Sequence, residues 1–260
     1  MNHTFIDTHA HLYLKAFRED LDNVIERADK AGITGIFLPN LDSSSVEDMF
    51  NVCLQHKICH PMIGLHPTSV KKDYKKELAS LEQYLSDERI IAVGEIGMDL
   101  YWDRTFLNEQ KDAFRQQLRW AKESGLPVVI HARESFNEIF EVLDAEADRS
   151  LRGVFHSFTG TSEDIEKILS YDFYIGINGI VTFKNAGLDQ IAANIPSSRL
   201  LIETDAPFLA PVPYRGKRNE SAYVTEVAAK MASIYDMELP ELAEITTRNA
   251  FDLFPKASQL

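Results

Sequence analysis

The chain has 260 residues, is 45% hydrophobic and 26% charged, and carries a formal net charge of −13 at pH 7. The apolar share is enough for a large buried core, and the acidic balance excludes a general nucleic-acid coat protein, which needs a basic footprint. It does not exclude a nuclease whose metal ions and one local basic loop meet the phosphates.

Cys53 and Cys59 are the two cysteines. They form neither a disulfide framework nor a thiolate site, which suits a reducing cytoplasm. The first residues, "MNHTFIDTHAH", lack a basic segment followed by an apolar stretch, and no uncharged apolar run reaches the roughly 18 residues of a membrane span. A cytoplasmic protein with no membrane partner is expected. No Gly/Ser tract, Pro-rich spacer or repeat breaks the chain, so residues 1–260 are read as a single domain.

The first β-rich run is "TFIDTH", ending at His9, with His11 two residues beyond. Alternate residues of an extended segment share a side, so both imidazoles can aim at one point. Asp7 either orients a histidine from behind or is a buried acid satisfied by backbone. "ITGIFL" is the second run, and "SSSVEDMFNVCLQH" after it spaces apolar residues as a helix does, with Ser43 as its cap. "PMIGLH" ends in His66, and a second helical pattern, "YKKELASLEQYLSD", leads to "IIAVGEIG", with Glu95 near its end and Asp99 just past it. Tyr101 and Trp102 follow, to stack on bases or to cap the fold.

"LNEQKDAFRQQLRWAKESG" is helical with Gly125 as its stop. "PVVIHA" then delivers His131, with Arg133 beyond it. After the helical "RESFNEIFEVLDAEA", "GVFHSF" delivers His156, and Thr161 caps "TSEDIEKILSYD". "FYIGING" precedes a short connection near "KNAGLDQIAANIP", and "LLIETDA" carries Glu203 and Asp205. The loop "PYRGKRNE" is the tight basic cluster beside a site strand, with Arg215, Lys217, Arg218 and Asn219. "SAYVTEVAAKMASIYD" and "LPELAEITTRNAFDLF" form a closing helical pair.

Strands alternating with helices imply right-handed crossovers and a parallel sheet buried on both faces. No G-x-G-x-x-G follows the first strand and no Walker-type loop is present, so the eight runs are read as a closed (β/α)8 TIM barrel. Barrel enzymes build their sites at the carboxyl ends of the strands. Six of the eight runs deliver a His or an acid there, and five of the eight histidines are among these residues. His9, His11, Glu95, His131, His156 and Asp205 make a mixed nitrogen and oxygen ligand set suited to zinc or manganese, with carboxylates that also admit magnesium. Six ligands are too many for one tetrahedral zinc. Two divalent ions about 3.5 to 4 Å apart, bridged by Glu95, would use them all.

"DTHAHL", "GLHP", "GEIGMDLYW", "IHARES", "FHSFTG", "ETDAPFLAP" and "RGKRNE", in that order, resemble the TatD family of metal-dependent deoxyribonucleases, from about residue 5 to residue 253. The resemblance implies a metallohydrolase barrel with those same six residues as metal ligands. The family commonly has Cys at Ser157, an acid and Ala at Glu134 and Ser135, and Pro at Ser221; none of these replaces a proposed ligand.

The expected activity is hydrolysis of DNA phosphodiester bonds, 3′ to 5′ on single strands, by water activated between the two ions. Asp205 takes the proton, and Glu203 holds a third ion or the sugar end. His66, Arg133, Arg215, Lys217 and Arg218 serve as substrate contacts, and Asn219 fixes the loop or the substrate. The alternatives are an ester or amide hydrolase of the same barrel class, such as a D-aminoacyl-tRNA deacylase, and a metal-dependent binding protein without turnover.

Overall fold

Eight short strands pair in parallel in the order in which the chain supplies them: β1 (Phe5–Asp7), β2 (Ile33–Pro39), β3 (Cys59–Met62), β4 (Val93–Asp99), β5 (Val128–Arg133), β6 (Gly153–Phe155), β7 (Tyr174–Ile177) and β8 (Leu200–Ile202). The computed structural model describes residues 3–258. Pairing runs without interruption from β1 to β3 and from β4 to β8. Parallel bridges between Ile63 and Val93 and between Ala10 and Ala206 join the two arcs. At the first seam Gly94 N donates to Ile63 O (2.8 Å); at the second His11 N donates to Ala206 O (2.7 Å) and Asp205 N to His9 O (2.9 Å). The ring is the expected (β/α)8 barrel.

The outer layer is α1 (Leu21–Lys30), α2 (Val46–Gln55), α3 (Tyr74–Glu82), α4 (Leu107–Ser124), α5 (Phe136–Glu146), α6 (Ser162–Ser170), α7 (Leu188–Ala192), α8 (Val224–Ile234) and α9 (Leu239–Leu253). Gly125 ends α4 in the left-handed conformation at φ 66°, and Thr161 caps α6 in a reciprocal box with Asp164. Ser43 is not a cap. Asp42 accepts from the backbone N–H groups of Ser44 and Ser45 and starts a 3-10 turn that leads into α2. Both N–H groups converge on the same oxygen, Oδ1, at 3.0 and 3.2 Å, a carboxylate acceptor at the cap position. α1 was not among the helical patterns read, although Leu21, Val24, Ile25 and Ala28 are spaced as a helical stripe, with Val24 and Ala28 fully buried and Leu21 and Ile25 packed against the core.

The barrel interior is layered. Ile6, Phe37, Met62, Ala92, Val129, Val154, Tyr174 and Leu201 form an apolar plug at the amino-terminal end, and Leu253, Phe254 and Ala257 pack against it from below. Side chains alternate along a strand, so the residues two places on from several of these also face inward: Gly64, His131, His156, Gly176 and Glu203. The upper interior is therefore polar by register. Among the described residues no helix is long and apolar enough to cross a membrane.

Candidate metal centre

Glu95, 2% exposed on β4, is the hub of the upper interior. Its Oε2 lies 3.1 Å from His9 Nε2 and 3.6 Å from His11 Nε2. Its Oε1 lies 2.7 Å from His131 Nδ1, 2.8 Å from His156 Nε2 and 3.2 Å from His66 Nε2. Each oxygen thus faces its own set of imidazoles. Asp205 joins the first set, with Oδ1 3.5 Å from His11 Nε2. Glu203 stands between the sets, 3.3 Å from His156 Nδ1, and its Oε1 accepts from Ser157 N at 2.5 Å.

Two glycines make the room. At Gly176 on β7 an added Cβ would meet Glu203 Oε2 at 2.6 Å, so a larger residue would push the carboxylate away. At Gly97 on β4, φ is 128° and a Cβ would lie 2.2 Å from His131 O, a position open only to glycine.

His9 and His11 lie past the end of β1, in the connection that bridges to β8. What holds them is a bolt between the first and last strands. Asp7 accepts from Thr204 N (2.9 Å) and Thr204 Oγ1 (2.7 Å), and more weakly from His9 N at 3.4 Å. Asn219, completely buried, donates from Nδ2 to Thr204 O (2.8 Å) and Phe208 O (2.6 Å), tying down the turn that carries Asp205. Asp205 sits there at φ 56°, a left-handed conformation that needs such support. Asp7 therefore spans both sequence readings, chiefly satisfied by the Thr204 backbone and hydroxyl and touching only the backbone of His9. Burial raises its pKa to about 7 against the nearby hydroxyls of Ser221 and Thr204.

The electrostatics call for cations. Burial opposes ionisation of Glu95, yet His156, His66 and His9 together with the His131 hydrogen bond hold it well below the usual range. Asp205 is likewise lowered against its burial, by His11, His156 and His9. Burial works against a charged His156, but Glu95 and Glu203 raise it well above normal. His131 is raised despite burial by Asp99 and Glu95. Buried carboxylates here stay ionised only with positive charge beside them, which protons supply in this arrangement and divalent ions can supply better. His9 and His11 point Nε2 at each other across 3.3 Å, and buried Nδ1 of His9 finds no hydrogen-bond partner. His9, His11 and Asp205 converge closely enough to share an ion, as do His9, His156 and Glu203, and His66, Glu95 and His131. The donor set fits divalent metals.

All six expected ligands meet in one place. His66, expected at the substrate, lies deeper, with Nε2 on Glu95 and Nδ1 2.7 Å from Thr68 Oγ1. Asp99 was noted past its strand but given no role. Its Oδ2 lies 2.9 Å from His131 Nε2 and sets the ring's orientation. The signal was its place four residues after Glu95 on the same strand, an even spacing that faces one side.

The basic loop divides. Arg218 is corrected as a substrate contact: its guanidinium forks onto Asp20 at 2.6 and 2.7 Å and donates to Ala16 O at 2.6 Å. Asn219 is buried in the bolt, where its amide fixes the loop. Arg215 stacks its guanidinium 3.6 Å above the Phe183 ring, and among the described residues no ion pair engages Arg215 or Lys217. Arg133, exposed, lies 3.9 Å over the Tyr101 ring. Ser221, where the family commonly has Pro, is buried in a short 3-10 turn ahead of α8.

Comparisons with known proteins agree with this geometry. The family model described as TatD-related DNase matches residues 6–255. An uncharacterized metal-dependent hydrolase of Bacillus subtilis, YabD, is 38% identical over 95% of this chain and 98% of its own. A protein of Erwinia tasmaniensis named 3′-5′ ssDNA/RNA exonuclease TatD is 31% identical over 92% of this chain and 95% of its own. The crystal structure of YjjV, a TatD homologue from Escherichia coli, superposes with a TM-score of 0.92 at 28% identity, covering 98% of this chain and 99% of that one. With an acid shared between two groups of imidazoles at the mouth of the barrel and a match along nearly its whole length, the chain belongs to the TatD-related family of metal-dependent hydrolases.

Proposed function

We propose that this hydrolase cleaves phosphodiester bonds of DNA, working 3′ to 5′ on single strands. The observation that carries the reading is the division of Glu95, one carboxylate oxygen toward His9, His11 and Asp205 and the other toward His131 and His156. A bridging carboxylate between two divalent ions has that form. His9, His11, Asp205 and Glu95 would hold one ion, and Glu95, His131 and His156 the other. His66 adds a nitrogen to the second group, and Glu203, beside His9 and His156, offers a place for a third ion. Magnesium, manganese or zinc bound there would polarise the phosphoryl oxygens and bring the pKa of water to about 7.

The residues do the rest. Asp205 is the acid of the centre nearest solvent, its side chain 15% exposed, and it is held ionised. It is the group placed to take a proton from water as the water oxygen bonds to phosphorus and the bond from phosphorus to the leaving sugar oxygen breaks, that oxygen taking a proton from solvent. Glu203, closed off at 1% exposure and fixed by Ser157 N, sets its charge 3.3 Å from His156 Nδ1. Arg215 and Lys217 beyond β8 and Arg133 at the end of β5 would steer the phosphates, since none is spent on an ion pair among the described residues. The name of the Erwinia relative supports a single-stranded substrate and the 3′ to 5′ direction.

The test is a ranking of substrates by purified enzyme in magnesium and in manganese: single-stranded DNA, duplex DNA, RNA, an aminoacyl-tRNA and small amides. Single-stranded DNA should turn over fastest. Faster release of the amino acid from aminoacyl-tRNA, with DNA intact, would replace phosphodiester by ester hydrolysis at the same residues.

A further inference from the structure

Beside the metal centre lies a cavity of about 290 Å3, lined by Pro67, Thr68, Lys71, Asp99, Trp102, Asp103, Phe106 and Gln110. Two of its walls connect directly to the centre. Thr68 holds His66, whose Nε2 touches Glu95, and Asp99 holds His131, which touches the same carboxylate. A group seated in the cavity is therefore one side chain away from the reacting atoms.

The far side of the cavity is aromatic. Trp102 is 70% exposed and Tyr101 50%, an apolar pair left open to water at the rim of an active site. Their placement is not slack: Asp99 Oδ1 accepts from Tyr101 N at 3.1 Å and Trp102 N at 3.3 Å, so the carboxylate that orients His131 also fixes the loop carrying both rings. Arg133 packs on the Tyr101 face and lies 5.3 Å from the Trp102 ring. Lys71 Nζ lies 5.3 Å over the Phe106 ring and forms no ion pair among the described residues. A flat apolar face beside an unpaired cation, joined to a phosphate-cleaving centre, matches a base with its phosphate better than a sugar or an amino-acid side chain.

Resting on the phosphodiesterase reading above, we propose that this cavity is a nucleobase subsite. The base of one nucleotide next to the scissile phosphate stacks on Trp102, and Lys71 meets that nucleotide's phosphate. Asp99 is then a positioning residue for both halves of the substrate, holding His131 at the centre and the stacking ring at the subsite. Because an aromatic face accepts any base, the subsite gives the enzyme a grip on single strands without a sequence preference. It also accounts for a preference for single strands, since a paired and stacked base cannot leave its duplex without cost.

The chain has two tryptophans, and Trp120 is 2% exposed with its indole N–H on Glu82, so a ligand-induced change in emission reports Trp102. The experiment titrates enzyme, in magnesium, with a short single strand made resistant to cleavage by phosphorothioate linkages. It follows tryptophan emission and the anisotropy of a 5′ label together, and a single abasic residue is moved through the strand. The proposal expects quenching in step with anisotropy, and about tenfold weaker binding when one position is abasic. Trp102→Ala should cost the same factor and abolish the penalty at that position, while Trp102→Phe keeps most of the affinity. Lys71→Ala should lower the slope of log affinity against log salt by about one. Binding with unchanged emission, or an abasic penalty that persists in Trp102→Ala, overturns the subsite and leaves the phosphodiesterase reading intact. No anisotropy change with any strand overturns both.

Discussion

Thr204→Val removes one hydroxyl with little change of shape, and the structure says what that hydroxyl does. Thr204 is fully buried, donates from Oγ1 to Asp7 Oδ2 at 2.7 Å and accepts from Ala206 N at 3.2 Å. The valine leaves a buried carboxylate short of a donor, at a cost of about 1 to 3 kcal/mol. For a chain of this size that is a fall in Tm of roughly 3 to 10 °C.

The pH dependence gives the sharper check. In the metal-stripped protein burial raises Asp7 from 3.8 to about 7. An acid with a raised folded pKa adds stability that is complete below its unfolded pKa and drains away as pH rises through the folded one. Here the window runs from 3.8 to about 7 and amounts to about 4 kcal/mol. Losing a donor to the charged form raises the folded pKa further, so the variant should lose more stability at pH 8.5 than at pH 5.5, where Asp7 is protonated in both proteins. Thermal unfolding followed by circular dichroism in EDTA at the two pH values measures this. Since Asp7 and Thr204 bolt the His9 and His11 segment to the Asp205 turn, metal affinity should also fall, by about 10- to 100-fold as for other orienting contacts. Equal losses at both pH values, or none, would refute the bolt.

Arg218→Ala should lower Tm by a few degrees and leave the salt dependence of DNA binding unchanged, because its guanidinium is forked on Asp20; Arg215→Ala should do the reverse, reducing the salt slope by about one with Tm unmoved. Gly176→Ala sets a Cβ 2.6 Å from Glu203 Oε2, so kcat should drop at least tenfold while the circular dichroism spectrum stays that of the wild type; full activity would show that Glu203 is free to move. Metal affinity should rise with pH across the histidine range, since His131 and His156 are held above their usual pKa by Asp99, Glu95 and Glu203 despite burial, and must give up protons to bind an ion. Calorimetric titration in buffers of different ionisation heat counts the protons released, and a count of zero would contradict the charge assignment.

The barrel and the meeting of the six expected ligands at its mouth could be read from the sequence because both follow from period and position. Strand register puts His131 above Val129 and His156 above Val154, so an apolar plug and a polar mouth appear in the same short runs. What could not be read is what depends on contacts between distant segments. Arg218 looked like a phosphate hook in a basic loop, and only the fold brings Asp20, nearly two hundred residues earlier, beneath it. Asn219 could be read as fixing its loop or the substrate, but not as spanning Thr204 and Phe208 with its amide. His66 lies beyond β3 as read, but its contact with Glu95 follows from the close passage of β4 past Gly64, not from spacing along the chain. Ser43 lost its role to Asp42, whose Oδ1 accepts from both Ser44 N and Ser45 N. In each case the local signal was correct about residue type and silent about partner.

The measurement that tests the central claim most directly is cleavage of a 5′-labelled single-stranded DNA on a sequencing gel, in magnesium or manganese, by wild-type enzyme and by Glu95→Gln. The account predicts a ladder shortening one nucleotide at a time from the 3′ end with wild type, nothing in EDTA, and a loss of at least a hundredfold with Glu95→Gln, which removes the charge that both imidazole groups share. An intact strand with metal-loaded wild-type enzyme, or an undiminished ladder from Glu95→Gln, would contradict it.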